Sequence, residues 1–583
     1  MEQKVIGRQI LVLVATCLLV ACEQQEATPV AAGEAQKTGS APVSLEPAAR
    51  EAAATVPLYD DLGDHHYAIS SDVPQVQAYF DQGLRLYYAF NHAEAIRAFR
   101  AAQQLDPRCA MCWWGEAIAS GPNINLPMDQ PAARVAYGAL QQALARRDDA
   151  SERERAMIDA LAVRYAADAP EDRAHLDRAY ADAMAGLAAA YPDDHEIAVL
   201  YAESLMDIRP WDYWEADGSP KPGIAEALAS LEAVIAKNPE HPGACHFFIH
   251  AVEKLYPERA VPCAERLANL MPGAGHLVHM PGHIYIRVGR YLDAVEANRH
   301  AIHADETYIR DQNPAMGMYT AGYYPHNYDF LAFATMMIGQ GDASVEAAKK
   351  VAALIPAELL GTPGMDFLQH WYSRPLLLQI RFARWDAILA TPEPDAAFPH
   401  MSAMSHYARG RAFAATGDVA AATVELEQLR KILASNVLAG VKMEFNESAD
   451  LLAIAEKVLA GRIHAAAGRF DAAERDLREA VAAEDRLRYG EPPDWTVPVR
   501  QDLGAVFLAA GRYEQAEQAF REDLQHFPLN GWSLHGLAVA LREQGREEEA
   551  AVVQADFERA WETADVELGS VDEVTGNKVG RRD

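Results

Sequence analysis

The chain has 583 residues, 50% of them hydrophobic, with 52 Lys+Arg against 84 Asp+Glu and a formal net charge of -32. Phosphate binding draws on clustered cations, so this balance argues against nucleic acid as the main partner and against a basic membrane-binding face. Aromatics are only 8%, alanine is frequent and no run reads as β-rich, which points to an all-α protein: about four ordinary domains by length, or one long repeat array.

The first element is an address. Lys4 and Arg8 precede an apolar run from Ile10 to Ala21, too short to span a bilayer and suited to the core of a secretory signal over residues 1–21. It ends Leu19-Val20-Ala21-Cys22, which resembles a bacterial lipoprotein box. That resemblance implies a lipidated Cys22, a protein tied to the cell envelope and facing the periplasm, and, with Glu23 in place of Asp, the outer membrane over the inner. Residues 22–58 are rich in Ala, Pro, Glu, Ser and Thr and cannot bury a core, so a flexible tether is expected there. No later stretch approaches 18 continuous apolar residues. The lipid would be the only membrane contact.

Repeats follow. Tyr79, Gly83 and Leu86, then Ala95, Phe99 and Ala102, then Pro107 match the tetratricopeptide (TPR) pattern. Gly289-Arg290-Tyr291, Gly468-Arg469-Phe470, Gly511-Arg512-Tyr513 and Gly545-Arg546 repeat its turn. Ala516 to Ala550 and Ala260 to Ala294 are each 34 residues, and Ala227 to Ala260 is 33. A small residue at the crossing lets two antiparallel helices approach, Gly frees the turn, and one pair cannot bury its own apolar face, so pairs must stack. The expectation is an α-solenoid, a right-handed superhelix of eight to twelve TPR-like helix pairs over 59–563, with a polar, disordered tail over 564–583. The chain also resembles a group of bacterial TPR proteins without an established activity. The resemblance rests on Trp113-Trp114-Gly115-Glu116-Ala117, on His276-Leu277-Val278-His279-Met280-Pro281-Gly282-His283-Ile284-Tyr285, and on Pro528-Leu529-Asn530-Gly531-Trp532. It implies the fold and no molecular function.

The histidines are spaced. His246 and His250 are four apart in a helix opened by Pro242; His276, His279 and His283 come one repeat later. On a continuous helix the last three fall within roughly 60° of one another, away from the Val278, Gly282 and Tyr285 packing stripe. That places them on the concave groove. His246 with His250 and His279 with His283 hold equivalent positions in successive units, so five imidazoles should meet within about 10 Å. His326 could close the site, and Glu253 follows His250 on the same face. If the helix instead begins at Pro281, the angular argument lapses. Three readings stand side by side: a divalent transition-metal site (Zn, Cu or Fe) on His246, His250, Glu253, His276, His279, His283 and His326; a pocket for an acidic peptide or small molecule; and histidines that each satisfy a local partner.

Of the remaining cysteines, Cys245 and Cys263 are expected to pair across one helix pair. Cys109 and Cys112 are expected as a local disulfide or two buried thiols. Trp113 is assigned to the core, while Trp114, Asn123 and Asn125 are candidates for the groove. The favoured function is an envelope scaffold whose groove binds a protein or peptide, with a metal at the histidines. The rivals are a metal-dependent enzyme and an assembly scaffold with no small ligand. No GxSxG elbow, phosphate loop or dinucleotide fingerprint is present, so an enzyme is the less favoured class.

Overall fold

The computed structural model describes residues 56–362, 365–568 and 580–581. The signal, Cys22 and nearly all of the tether lie outside them. The chain separates into two units: one comprises the residues up to Leu255, Glu265–Leu277 and Thr307–Tyr319; the other comprises Tyr256–Ala264, Val278–Glu306 and Thr320 onward.

The first unit holds α1 (Pro74–Tyr88), α2 (His92–Leu105), α3 (Ala110–Ala119), α4 (Gln130–Ala145), α5 (Glu152–Leu161), α6 (Ala174–Ala190), α7 (His195–Asp207), α8 (Ile224–Lys237) and α9 (Pro242–Val252). Unit boundaries fall inside α10 (Val261–Leu270), α11 (Gly275–His279) and α13 (Tyr291–Gln312); α12 (Pro281–Arg287) belongs to the second unit. The second unit continues with α14 (Tyr324–Met337), α15 (Gly341–Leu354), α16 (Phe367–Arg381), α17 (Trp385–Ala390), α18 (Pro399–Ala415), α19 (Val419–Ala434) and α20 (Ser448–Ala466). It ends with α21 (Phe470–Glu484), α22 (Val499–Ala509), α23 (Tyr513–His526), α24 (Gly531–Glu543) and α25 (Glu547–Ala560). Within each unit, helices pack mainly on their neighbours in the chain. The protein is all-α, a solenoid type of fold built from stacked TPR-like pairs. No described helix is long and apolar enough to cross a membrane.

The repeat signature has a direct physical counterpart. A Cβ built on Gly83 of α1 or Gly115 of α3 would come within 2.6 or 2.4 Å of the Phe99 ring of α2. Gly504 of α22 and Gly536 of α24 hold Phe520 of α23 in the same way, at 2.6 and 2.3 Å. One phenylalanine thus sits between two glycines on the flanking helices, and the missing side chains set the helix spacing. Gly115→Val should therefore overpack this contact and cost about 1–3 kcal/mol. Denaturant unfolding followed at unit-one peptides checks it, and an unchanged midpoint would contradict the account.

Two local expectations are settled at helix ends. The Gly289, Gly468, Gly511 and Gly545 turns all have positive φ, between 69° and 79°, where a side chain is disfavoured. At Pro281 the continuous-helix reading is corrected: α11 ends at His279, and α12 opens with Pro281 at its first turn. Proline has no N–H to give to a preceding carbonyl, so it starts a helix better than it continues one. The segment Val566–Glu567 pairs antiparallel with Gly580–Arg581. It is held by Trp561, whose Nε1 donates to the Val566 carbonyl at 2.9 Å.

Candidate metal centres

The structure gathers six histidines into two triads, one in each unit. In the first, α9 presents His246 and His250 and α11 presents His276; all three are buried. The Nε2 atom of His246 lies 3.1 Å from Nε2 of His250 and 3.2 Å from Nε2 of His276. In the second unit, His279 and His283 are buried and His326, near the start of α14, is half-buried. Nε2 of His279 lies 2.9 Å from Nε2 of His283, and His326 completes a set whose ligand atoms fall within 4.8 Å of one another.

The outer nitrogens fix the protonation of the inner ones. Nδ1 of His246 donates to the Tyr88 carbonyl at 2.6 Å. A carbonyl only accepts, so the neutral ring carries its proton there and turns a bare lone pair inward at Nε2. His250 faces the Glu253 carboxylate with Nδ1 at 3.6 Å, which draws its proton to the same side. In the second triad, Nδ1 of His279 donates to Asn298 Oδ1 at 2.7 Å. Asn298 is oriented by donating its own Nδ2 to the Ala294 carbonyl at 2.8 Å. Nδ1 of His283 stands 3.2 Å from Glu491.

The His246–His250 and His279–His283 pairs therefore aim lone pairs at each other across 3.1 and 2.9 Å. Such pairs repel unless a cation stands between them, either a metal ion or a proton that turns one ring into imidazolium. Two nitrogens bound about 2.0–2.1 Å from one ion, roughly 90–100° apart, stand about 2.9–3.2 Å from each other. Three convergent nitrogens also suit one ion better than one proton, which bridges two. Tying the outer nitrogen of a ligand histidine to a carboxylate, amide or carbonyl is how proteins fix its tautomer.

One phenylalanine packs on all three rings of each triad. Phe90 lies with its ring centre 4.4, 6.1 and 5.2 Å from those of His246, His250 and His276. Phe330 lies 4.5, 4.5 and 4.9 Å from His279, His283 and His326. Phe90 has φ 54°, a conformation that costs a non-glycine residue energy. It sits two residues past Tyr88, in the α1–α2 turn that also supplies the carbonyl on His246.

A third group, His65, Glu196 and His241, looks similar by proximity but differs in chemistry. His241 caps α9, and its Nδ1 accepts from Ala244 N–H at 3.2 Å. The neutral ring must then carry its proton on Nε2, which faces Glu196 at 3.5 Å and cannot also bind a metal. Tyr88 donates to Glu196 at 2.5 Å, and Nε2 of His65 lies 3.3 Å away. Burial raises the Glu196 pKa, but the facing His65 and His241 outweigh it and hold the carboxylate well below its usual range. Burial lowers the His65 pKa, and Glu196 more than reverses that, for a net rise. This group is a hydrogen-bonded ion pair.

Several sequence expectations need correction. His246, His250, His276, His279 and His283 are all at most 3% exposed, so they form interior centres and do not line an open groove. Apolar and aromatic side chains close over them. Trp114 is buried and Trp113 half-buried, with Arg146 stacked on Trp113 at 5.0 Å; the core and surface roles of the pair are exchanged. Asn123 and Asn125 make a turn: Asn123 Oδ1 accepts from the Asn125 and Leu126 N–H groups at 2.9 and 3.0 Å. Asn125 Oδ1 accepts from Trp211 Nε1 at 3.0 Å. Glu253 faces the outer nitrogen of His250 and is itself among the residues whose carboxylate could hold a metal ion. Cys109 and Cys112 are joined in a disulfide at the start of α3. Cys245 and Cys263, expected to pair, are both buried and each is disulfide-bonded.

No protein family matches the chain, and no curated relative does either. Among solved structures it is similar to the human IFIT1 dimer with m7Gppp-AAAA, at 12% identity and TM-score 0.27, covering 89% of this chain and 96% of that one. It is also similar to the P58(IPK) TPR domain, at 12% identity and TM-score 0.20 over 81% and 99% of the two chains. A third is the Naa15/Naa10 complex bound to HypK-THB, at 13% identity and TM-score 0.22 over 84% and 74%. Likenesses of this size say nothing about ligand or activity.

Proposed function

We propose that this protein is a metal-binding helical-repeat protein of the bacterial cell envelope, held to a membrane by lipid on Cys22. His246, His250 and His276 bind one divalent transition-metal ion, and His279, His283 and His326 bind another. The supporting observation is the pair of opposed lone pairs in each triad, with both outer nitrogens facing acceptors. An all-imidazole set suits zinc, copper, iron or nickel. The stacked pairs serve as a scaffold for a protein or peptide partner.

A metal-dependent enzyme is the second reading. Three protein nitrogens per ion leave a coordination position for water or substrate, which is the arrangement of catalytic and not structural zinc sites.

Elemental analysis of untagged protein is the test. About two metal equivalents per chain are expected. His250→Ala with His276→Ala should remove one, and His283→Ala with His326→Ala the other. Protein with less than one-tenth of an equivalent, even after incubation with Zn, Cu or Fe, would leave the shared proton as the explanation and end this reading.

A further inference from the structure

A short turn, 467–469, joins α20 to α21, whereas the long stretch 485–498 joins α21 to α22. Pro492, Pro493 and Pro498 keep that stretch from becoming helix. Together with the facing ends of α12, α21, α22 and α23 it walls a cavity of about 270 Å³. Ordinary ligand pockets run from roughly 300 to 1,000 Å³, so the occupant that fits here is a small molecule.

Most charges on the wall are committed to one another. Nη1 and Nη2 of Arg500 donate to the two oxygens of Asp485 at 2.7 and 2.8 Å. Asp494 accepts from Asn446 at 2.6 Å, and Arg287 Nε lies 3.6 Å from Glu491. Other groups are not committed. Arg488 is exposed, and its guanidinium makes no hydrogen bond or ion pair among the described residues. Trp495 is 2% exposed, and its Nε1 has no acceptor among them. Asp523 is 1% exposed; its Oδ2 accepts from Ser533, Gln501 and Asn530 at 2.6, 2.9 and 3.0 Å, while Oδ1 has no partner among the described residues. Glu484 accepts from the Val499 N–H at 3.2 Å.

Buried polar atoms without partners are rare and costly. Burial, and then the charge of Asp523, hold the Glu484 pKa well above its usual range, and burial raises that of Asp523. The cations that act on the two are Arg500, already taken by Asp485, and His526, which burial makes harder to protonate. The cavity wall therefore holds two carboxyls short of a cation, together with an open guanidinium and an indole N–H. An ammonium suits the first pair, and a carboxylate the second. Leu487, Pro498 and Phe527 give the wall an apolar part.

We propose that this cavity binds a free amino acid with an apolar side chain, its ammonium held by Glu484 and Asp523 and its carboxylate by Arg488 and Trp495 Nε1. The site requires no metal in either triad.

Calorimetric titration of the full-length protein with leucine and with phenylalanine tests the site. Isoamylamine and isocaproate, which are leucine without its carboxylate and without its amine, serve as comparisons. Saturable binding of at least one amino acid is expected, and the two truncated probes should bind at least roughly tenfold more weakly than leucine, as loss of a hydrogen-bonded charge implies. Arg488→Met should weaken the amino acid by a similar factor and leave isoamylamine unchanged; Glu484→Gln should weaken the amino acid and leave isocaproate unchanged. If Glu484→Gln fails to fold by circular dichroism, the exposed Arg488 variant carries the comparison. Absence of saturable heat with both amino acids, a truncated probe that binds as tightly as leucine, or equal binding by wild type and Arg488→Met overturns the proposal.

Discussion

Removing metal from the protein with a chelator should lower its thermal midpoint by roughly 10 °C. The reason lies in the triads. With the ion gone, the Nε2 atoms of His246 and His250, 3.1 Å apart, and of His279 and His283, 2.9 Å apart, lose the charge that holds them together. The rings must then separate or take up a proton in a buried place. An ion present at 1,000 times its dissociation constant stabilises the bound state by about 4.1 kcal/mol per site. For units of this size, each kcal/mol moves the midpoint by roughly 2–4 °C. Scanning calorimetry of protein before and after chelation, and again after metal is restored, measures the change. His283→Ala with His326→Ala should keep the shift that belongs to the first triad and lose the second. Superimposable scans with and without chelator would rule out metal as the missing cation.

The sequence revealed the clustered histidines more completely than their surroundings. Two histidines four residues apart, twice over, can only lie on one face of a helix, and a TPR period places the two helices at equivalent positions. His326 was visible because it opens a helix after an insertion. Burial of the triads was not visible, because it depends on what the α1–α2 turn and the start of α14 lay over them. Phe90 carries no pattern at all. Phe330 had a signal, since it stands four residues after His326 and so shares its face. Asn298 and Glu491 reach the triad from 19 and 208 residues after the histidines they orient, distances over which spacing says nothing.

The same contrast holds in the framework. Gly83, Phe99 and Gly115 form a repeat motif in sequence and a ring held between two glycines in space, so the fold was readable. Trp113 and Trp114 were misassigned because a helix of ten residues, α3, is buried on most sides. There, one step around the helix no longer separates core from surface. Of the two readings at Pro281, the continuous helix fails and the helix that begins at Pro281 holds, because proline cannot give the N–H that a continuing helix needs.

Replacing Arg164 by Met should destabilise the first unit by about 3–5 kcal/mol at pH 8, the usual cost of breaking a buried ion pair from one side. Arg164 is 1% exposed. Its Nη2 donates to Asp207 at 2.6 Å and to the Pro122 carbonyl at 3.1 Å, and its guanidinium lies 4.6 Å from the Tyr180 ring. One helical turn before Asp207, Glu203 accepts from the Tyr87 hydroxyl at 2.5 Å. Burial pushes both carboxyls up, Glu203 to about 8, with Asp207 adding to its rise, and Asp207 to about 6 against the pull of Arg164. In the unfolded chain both ionise near pH 4. Between those values the folded form binds more protons than the unfolded form, so stability falls as pH rises from about 4 to about 8. Without Arg164 the Asp207 carboxyl is still harder to ionise. The variant should therefore lose most of its deficit at pH 5, where that carboxyl can stay neutral, and lose stability more steeply than wild type above it. Glu203→Gln should flatten the wild-type slope, because the amide has no proton to lose. Hydrogen exchange of α7 peptides in the full-length protein at pH 5 and pH 8, corrected for intrinsic rates, reads the opening free energy directly. A deficit in Arg164→Met that is the same at both pH values would mean that Arg164 acts by packing on Tyr180 and not by its charge.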